Sequence, residues 1–177
     1  FAINKNKVLS MPDSLEGGKV TINSFSAGND AVYMYAEEGK PMGTYYTYLP
    51  LTVTDKNSPY YGCPIVDEAG QPVLSEEVLS TGRDMNHKWT GGVSTSISAY
   101  GFTLSAALDV RYGGTMFSRS KNLMQFTGNG IVTTYNDRKP FIIPNSVVDN
   151  GDGTYSENTT PIFQGDGSYQ TFFNDYG

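Results

Sequence analysis

In the stretch "WTGGVSTSISAYGFTLSAALDVRYGG" (89–114), apolar and small polar side chains alternate along two arms that meet at Tyr100-Gly101. On the first arm Trp89, Gly91, Val93, Thr95, Ile97 and Ala99 share one parity, opposed by Thr90, Gly92, Ser94, Ser96 and Ser98. On the second arm Phe102, Leu104, Ala106, Leu108, Val110 and Tyr112 share a parity, opposed by Thr103, Ser105, Ala107, Asp109 and Arg111. Side chains of an extended chain point alternately to opposite faces, so a period of two means strand. A two-residue turn at Tyr100-Gly101 sets Ala99 opposite Phe102, Ile97 opposite Leu104, Val93 opposite Leu108 and Trp89 opposite Tyr112. A slip of one residue would set serines among leucines, so the pattern specifies its own register. The expectation is a long antiparallel hairpin, apolar on one face and hydroxylated on the other.

What covers the apolar face decides the class of protein. Each arm is about a dozen residues long, and a tilted membrane-crossing strand needs about 9–11. Aromatic residues lie at both ends, Trp89 with Tyr112 and Tyr100 with Phe102, as in the interfacial girdles of outer-membrane barrels. A hairpin lying over the core of a soluble β-sandwich shows the same alternation. The alternation by itself leaves both open.

Composition narrows the field. Thirteen Tyr, 9 Phe, 20 Gly and 9 Pro in 177 residues favour strands and turns over helices. Charged residues are 17%, against about 25% in typical soluble domains. The net charge of −6 and the absence of a Lys/Arg cluster argue against a nucleic-acid partner. Cys63 is the only cysteine, which excludes a disulfide scaffold within the chain. His87 is the only histidine, so a His-Cys metal site or a Ser-His-Asp triad would rest on it alone. No metal, cofactor or catalytic residue is expected, and the chain does not read as an enzyme. No run of about 18 apolar residues marks a transmembrane helix, and no signal-peptide pattern is present. The chain opens at Phe1 inside a strand-like run and stops at "NDYG", which reads as two cuts in a longer polypeptide.

Along the rest of the chain, "FAINKNKVLSM" (1–11) reads as the far end of a strand, with Phe1, Ile3 and Leu9 on one side. "PDSLEGGK" (12–19) is a turn, and "VTINSFSAGN" (20–29) and "AVYMYAEEGKPMGTYYTYLPLTV" (31–53) hold short strands. Residues 55–88 look loop-rich, with one helical turn at "SEEVLS" (75–80) capped by Ser75. "SRSKNLMQFTGNG" (118–130) reads as a short helix stopped by Gly128 and Gly130. The remainder is polar, aromatic and dense in turns. No linker separates two domains.

Five pieces in this order, "NKNKV" (4–8), "EEGKPMGTYYTY" (37–48), the hairpin with its flank (89–118), "YNDRKPFIIPNSV" (135–147) and "NGDGTYSENTTPI" (150–162), resemble a late segment of a SusC/RagA-type TonB-dependent outer-membrane transporter. The most specific are the hairpin and "RKPFIIPNSV". The resemblance implies a mainly β fold: antiparallel strands and a hairpin from a barrel wall, plus long loop-rich extracellular segments. Residues 1–11 would be a barrel strand end, 12–88 an extracellular loop region with short strands, 89–112 a transmembrane β-hairpin, and 113–177 a second extracellular loop region. The barrel would be incomplete, a fragment of a larger protein, since this family closes about 22 strands and carries a plug and a TonB-contacting box with no counterpart here. It implies import of glycans or peptides across the outer membrane of a Gram-negative bacterium. A SusD-like surface lipoprotein, the TonB complex acting through the plug, and outer-membrane lipid would be the partners. The competing class is a soluble cell-surface β-domain that binds glycan or protein without transporting it.

Candidate sites follow from side-chain chemistry. Trp89, Tyr100, Phe102 and Tyr112 are expected as membrane-interface anchors, and Asp109 and Arg111 as lumen-facing charges that pair with each other. Tyr45, Tyr46, Tyr48, Tyr60 and Tyr61 are the candidates for ligand contact, because aromatic faces stack on sugar rings and phenols add hydrogen bonds. Packing of loop against loop is the plainer role for them. "DNGDGTYSEN" (149–158) lacks EF-hand spacing, since Gly151 and Gly153 fall where ligands belong, and reads as a tight turn. "GKPMG" (39–43) lacks the pattern of a phosphate loop. The acidic pairs Glu37-Glu38, Asp67-Glu68 and Glu76-Glu77 are adjacent residues that point apart, a poor basis for glycosidase chemistry.

Overall fold

A computed structural model describes every residue except Ser14, Glu16, Gly17, Gly28, Asn29, Gln164, Asp166, Tyr176 and Gly177. The expected turn at 12–19 and the end of the strand at 20–29 therefore lie partly outside the described residues. In chain order the strands are β1 (Ala2–Ile3), β2 (Lys19–Ala27), β3 (Asp30–Glu37), β4 (Thr44–Thr47), β5 (Ile65–Val66), β6 (Leu79–Asp84), β7 (Trp89–Ala99) and β8 (Phe102–Tyr112). Helix α1 (Arg119–Phe126), a 3-10 segment (Ile131–Arg138), β9 (Val147–Asp149), β10 (Tyr155–Glu157) and α2 (Ser168–Asp175) follow. The fold is mainly β, and among the described residues no sheet closes on itself. No described helix is long and apolar enough to cross a membrane, which says nothing of strands. The chain forms two compact units, each made of two separate stretches: 1–47 with 80–116, and 48–79 with 117–177.

In the first unit β7 and β8 pair along their full 11 residues, from Trp89 opposite Tyr112 to Ala99 opposite Phe102. The register is the one the alternation demands. Tyr100 and Gly101 both have positive φ, +51° and +81°, as a two-residue turn of type I′ requires, whose twist matches that of the strands. Glycine takes such an angle freely and tyrosine does so at a cost. β1 adds to the far end of β7, Ala2 beside Thr90 and Ile3 beside Trp89.

The strand expected over 1–11 is thus paired only at its start. Beyond it alternate residues fasten the chain down. The Asn4 N–H donates to the Lys88 carbonyl at 3.1 Å, the Asn6 side chain accepts from the Met42 N–H at 2.8 Å, and the Val8 N–H donates to the Lys40 carbonyl at 2.9 Å. "NKNKV" is a row of single fastenings, two by backbone and one by the Asn6 side chain, with its lysines exposed, not a ladder. A second sheet of the same unit orders its strands β2-β3-β4-β6, with a bulge between Thr21 and Asn23.

In the second unit the loop-rich region turns out to hold a meander. Leu51 donates to Val73, Ile65 to Leu51, Val73 to Ile65, and Val53 to Cys63, all backbone N–H to carbonyl at 2.7–3.0 Å. Pro50, Pro64 and Pro72 sit at isolated bridges in these plies. Lacking an N–H, each proline cuts the ladder to short pieces. β5 emerges from this meander and runs parallel to β9, which pairs antiparallel with β10. Val66, Ile143 and Ile162 form the buried core, with Phe141, Val148 and Phe172 packed against it.

The helical turn expected at 75–80 is absent. Ser75 instead accepts the Leu49 N–H at 3.1 Å and donates to the Glu77 carbonyl at 2.7 Å. That bond pattern holds a bend between the meander and β6, so the hydroxyl caps no helix. The helix expected within 118–130 is present as α1, with the Ser118 hydroxyl accepting from the Lys121 N–H and Gly128 following at φ +74°. α2 forms in the stretch read as polar, aromatic and dense in turns. Its Tyr169 and Phe173 are buried and pack ring to ring with Phe141 at 6.1 and 6.4 Å, so tertiary contact rather than intrinsic propensity holds this short helix.

Candidate functional site

The predicted site residues fall into two groups. On the hairpin, Trp89 and Tyr112 stack with ring centroids 5.8 Å apart, and Phe1 packs on Trp89 from the other side at 6.0 Å. Tyr100 and Phe102 stand out at the opposite end, both strongly exposed. Between these ends Val93, Ile97, Leu104 and Leu108 are 63–71% exposed, so this mostly apolar face of the ribbon has no cover among the described residues. The other face carries a row of hydroxyls: Ser96 bonds Ser105 at 3.0 Å and Ser98 bonds Thr103 at 2.9 Å. Asp109 and Arg111 pair on that face at 3.4 Å. Both side chains are largely solvated, where an ion pair adds little stability.

At the Trp89 end, Lys88 extends the ladder to the Tyr112 carbonyl at 2.8 Å, and the His87 ring lies 2.9 Å from the Gly113 carbonyl. Gly114 follows with φ +79°, where a Cβ would lie 2.9 Å from the Met85 carbonyl oxygen. His87 thus serves the corner at which the ribbon ends. Among the described residues no three of His, Cys, Asp and Glu come together as a metal site.

The five tyrosines do not form one cluster. Tyr45 and Tyr46 are buried in the first unit. Tyr45 packs on Phe25 at 6.3 Å, and Tyr46 meets Tyr35 edge-on at 4.9 Å while its hydroxyl accepts from Lys40 Nζ at 2.9 Å. Their rings are packed into the wall of the first unit. Tyr48, Tyr60 and Tyr61 belong to the second unit and keep accessible surface.

Tyr60 lines a cavity of about 520 Å³ within the second unit, together with Cys63, Pro144, Asn145 and Glu157. The wall is built by a turn in "RKPFIIPNSV". The Ser146 N–H donates to the Ile143 carbonyl at 3.3 Å, and Asn145 has φ +56°. Pro then Asn with positive φ at the two central positions is the type II turn. Behind it, the buried Ser146 hydroxyl donates to the Ile143 carbonyl and accepts from the Asn158 side-chain amide at 2.9 Å, and the Asn158 Oδ1 accepts from the Thr160 N–H at 2.8 Å. The Pro144-Asn145 pair is the signal that could have marked this turn; no local signal marks the cavity, whose other wall is Pro59, Tyr60 and Cys63.

A smaller cavity of about 50 Å³ lies beside Gln125, Arg138 and Tyr169. Gln125 Nε2 is buried there without a partner among the described residues, and the space suits a bridging water, which needs about 10–15 Å³.

Near the large cavity, "NGDG" forms the β9–β10 turn as expected. The Asp152 carboxylate accepts from the Thr154 hydroxyl at 2.6 Å and from its N–H at 2.9 Å. These bonds hold the Asp152 carboxyl below its ordinary pKa, the hydroxyl contributing most.

Compared with known proteins, the chain matches no family model and none of the curated sequences.

Proposed function

We propose that this chain supplies barrel wall and cell-surface loops to a SusC/RagA-type TonB-dependent transporter. The transporter imports glycans or peptides through the outer membrane in company with a SusD-like lipoprotein. One observation carries the proposal: the uncovered apolar face of the β7–β8 ribbon, bounded at both ends by aromatic residues. Monomeric soluble proteins blunt or cover such a surface. Eleven residues per strand span about 36 Å, or about 25 Å across a bilayer at a tilt near 45°, the height of the apolar band of an outer-membrane barrel. The hydroxyl row and the Asp109–Arg111 pair suit a watery lumen on the other side. In this arrangement Trp89 and Tyr112 anchor the outer interface, and the Tyr100-Gly101 turn faces the periplasm.

Cysteine labelling in the native polypeptide and its membrane tests the proposal, with Cys63 first replaced by Ser. The Leu104→Cys variant should react with a lipid-dissolved maleimide, and Ser105→Cys with a water-soluble one. If position 104 is shielded from both reagents while the protein is native, a protein core covers that face. The reading as a soluble cell-surface domain then replaces this one.

A further inference from the structure

The smaller cavity of the second unit, about 50 Å³, brings nitrogen donors from two elements to one place. Gln125, in the last turn of α1, is only 5% exposed, and its Nε2 is buried without a partner among the described residues. A buried amide in that state costs free energy, and few native polar groups are left so. Arg138 lines the same cavity from the end of the 3-10 segment. Its Nη2 donates to the Gly128 carbonyl at 2.7 Å, and its other guanidinium nitrogens bond no described residue. Its charge is felt at the phenol of Tyr169, which lines the cavity as well. The backbone that carries Arg138 is strained: Asn136, Asp137 and Arg138 have left-handed φ values of +50°, +53° and +58° in succession. Such angles disfavour any residue with a Cβ, and they collect where a site needs a side chain held in place.

The acceptors around the cavity are largely taken. The Gly128 carbonyl accepts from the Thr133 hydroxyl at 3.0 Å as well as from Arg138, and the Thr133 carbonyl accepts from the Tyr169 hydroxyl at 2.6 Å. Thr127 Oγ1 donates to the Leu123 carbonyl and accepts from Asn129 Nδ2, each at 3.0 Å. The described lining holds no carboxylate. Asp137, beside Arg138 in the chain, has a side chain 86% exposed and pairs with Lys139 at 3.6 Å. Donors are therefore in excess: the amide N–H groups and the guanidinium face only the hydroxyl lone pairs of Thr133 and Tyr169. A water donates as many bonds as it accepts and leaves that excess standing. An anion only accepts.

We propose that this cavity binds a small inorganic anion, chloride, between the Gln125 amide and the Arg138 guanidinium. The bonds are charge-assisted, the stronger kind, and the positive charge offsets the desolvation of the ion. The volume admits a monatomic ion with a water beside it and excludes a nucleotide or a sugar phosphate. Once bound, the ion ties the end of α1 to the strained end of the 3-10 segment. The inference goes beyond the import reading, because the site lies within one unit and asks nothing of a membrane.

The chlorine NMR line of sodium chloride tests the site in the purified full chain, because a chloride ion held by protein relaxes much faster than a free one. The chain should broaden the line, and bromide should titrate the excess width away while gluconate does not. Gln125→Leu removes the buried donor and Arg138→Gln removes the charge. Each should weaken chloride binding about tenfold or more, the worth of one hydrogen bond to a charged group. Circular dichroism of both should stay that of the parent. Lys56→Gln, in an exposed turn of the same unit, should leave the broadening unchanged. The proposal is overturned if the chain adds no width, which makes the cavity a water site, or if the excess survives both substitutions. Loss of the excess in Lys56→Gln also overturns it, as diffuse attraction to surface charge. None of these results depends on the labelling at positions 104 and 105.

Discussion

At Asn145 a single backbone angle, φ +56°, decides which residues the turn accepts. Asparagine and glycine take the left-handed region at low cost, and a β-branched residue pays about 1–2 kcal/mol. Asn145→Val should therefore destabilise the second unit by about that amount, and Asn145→Gly by less than about 0.5 kcal/mol, in urea unfolding followed by circular dichroism. Tyr169 carries a second residue-scale prediction. Its buried hydroxyl donates to the carbonyls of Thr133 at 2.6 Å and Tyr135 at 3.0 Å, so Tyr169→Phe leaves acceptors unpaired and should cost about 1–3 kcal/mol. Burial pushes the phenol above its ordinary pKa of 10.0, partly opposed by the charge of Arg138. The folded state thus holds that proton more tightly than the unfolded chain does. The contribution is whole below the ordinary value and is lost as pH rises through the folded one. Wild-type stability should fall in that alkaline window more steeply than that of Tyr169→Phe; equal slopes would assign the loss to other groups.

Among the elements, the β7–β8 ribbon is specified twice, by side-chain parity and by its turn. Parity alone places Trp89 against Tyr112, Val93 against Leu108, Ile97 against Leu104 and Ala99 against Phe102. The turn is the weaker half, because Tyr100 sits at φ +51° without the side-chain bonds that let Asn tolerate that region. Tyr100→Asn creates the Asn-Gly pair favoured by type I′ turns and should slow amide exchange across the ribbon. Gly101→Val should speed it, with a loss of about 1–2 kcal/mol. Amide exchange unchanged in both variants would mean that the strands, not the turn, hold the hairpin closed. The meander of the second unit teaches the converse. Its plies were hidden because Pro50, Pro64 and Pro72 interrupt every run, and a proline-cut strand resembles a loop until its partners are known. α2 was hidden for a related reason: "SYQTFFND" has little helical preference, and the Phe141 side of the unit gives its rings a place to go.

For the molecule as a whole, the uncovered apolar face of the hairpin sets its behaviour in water. The purified chain should sediment with a concentration-dependent mass in buffer and become uniform in detergent, as expected of a surface that must be buried somehow. Replacing Leu104 and Leu108 by Ser should weaken that dependence without altering the second unit. A compact monomer at all concentrations, binding no detergent, would speak for the soluble class. The hairpin, its register, its turn and the short helix α1 with its glycine stop were legible in the residues, because each rests on contacts between near neighbours or on a period that any partner must respect. Tertiary structure alone decided the rest. It buried Tyr45 and Tyr46 while leaving Tyr60 at a cavity, and it turned Ser75 from a helix cap into a brace between Leu49 and Glu77. It also joined Pro59–Cys63 to the distant Pro144-Asn145 turn. Such pairings cross long stretches of chain and depend on which surfaces meet, and no local pattern of side chains carries that information.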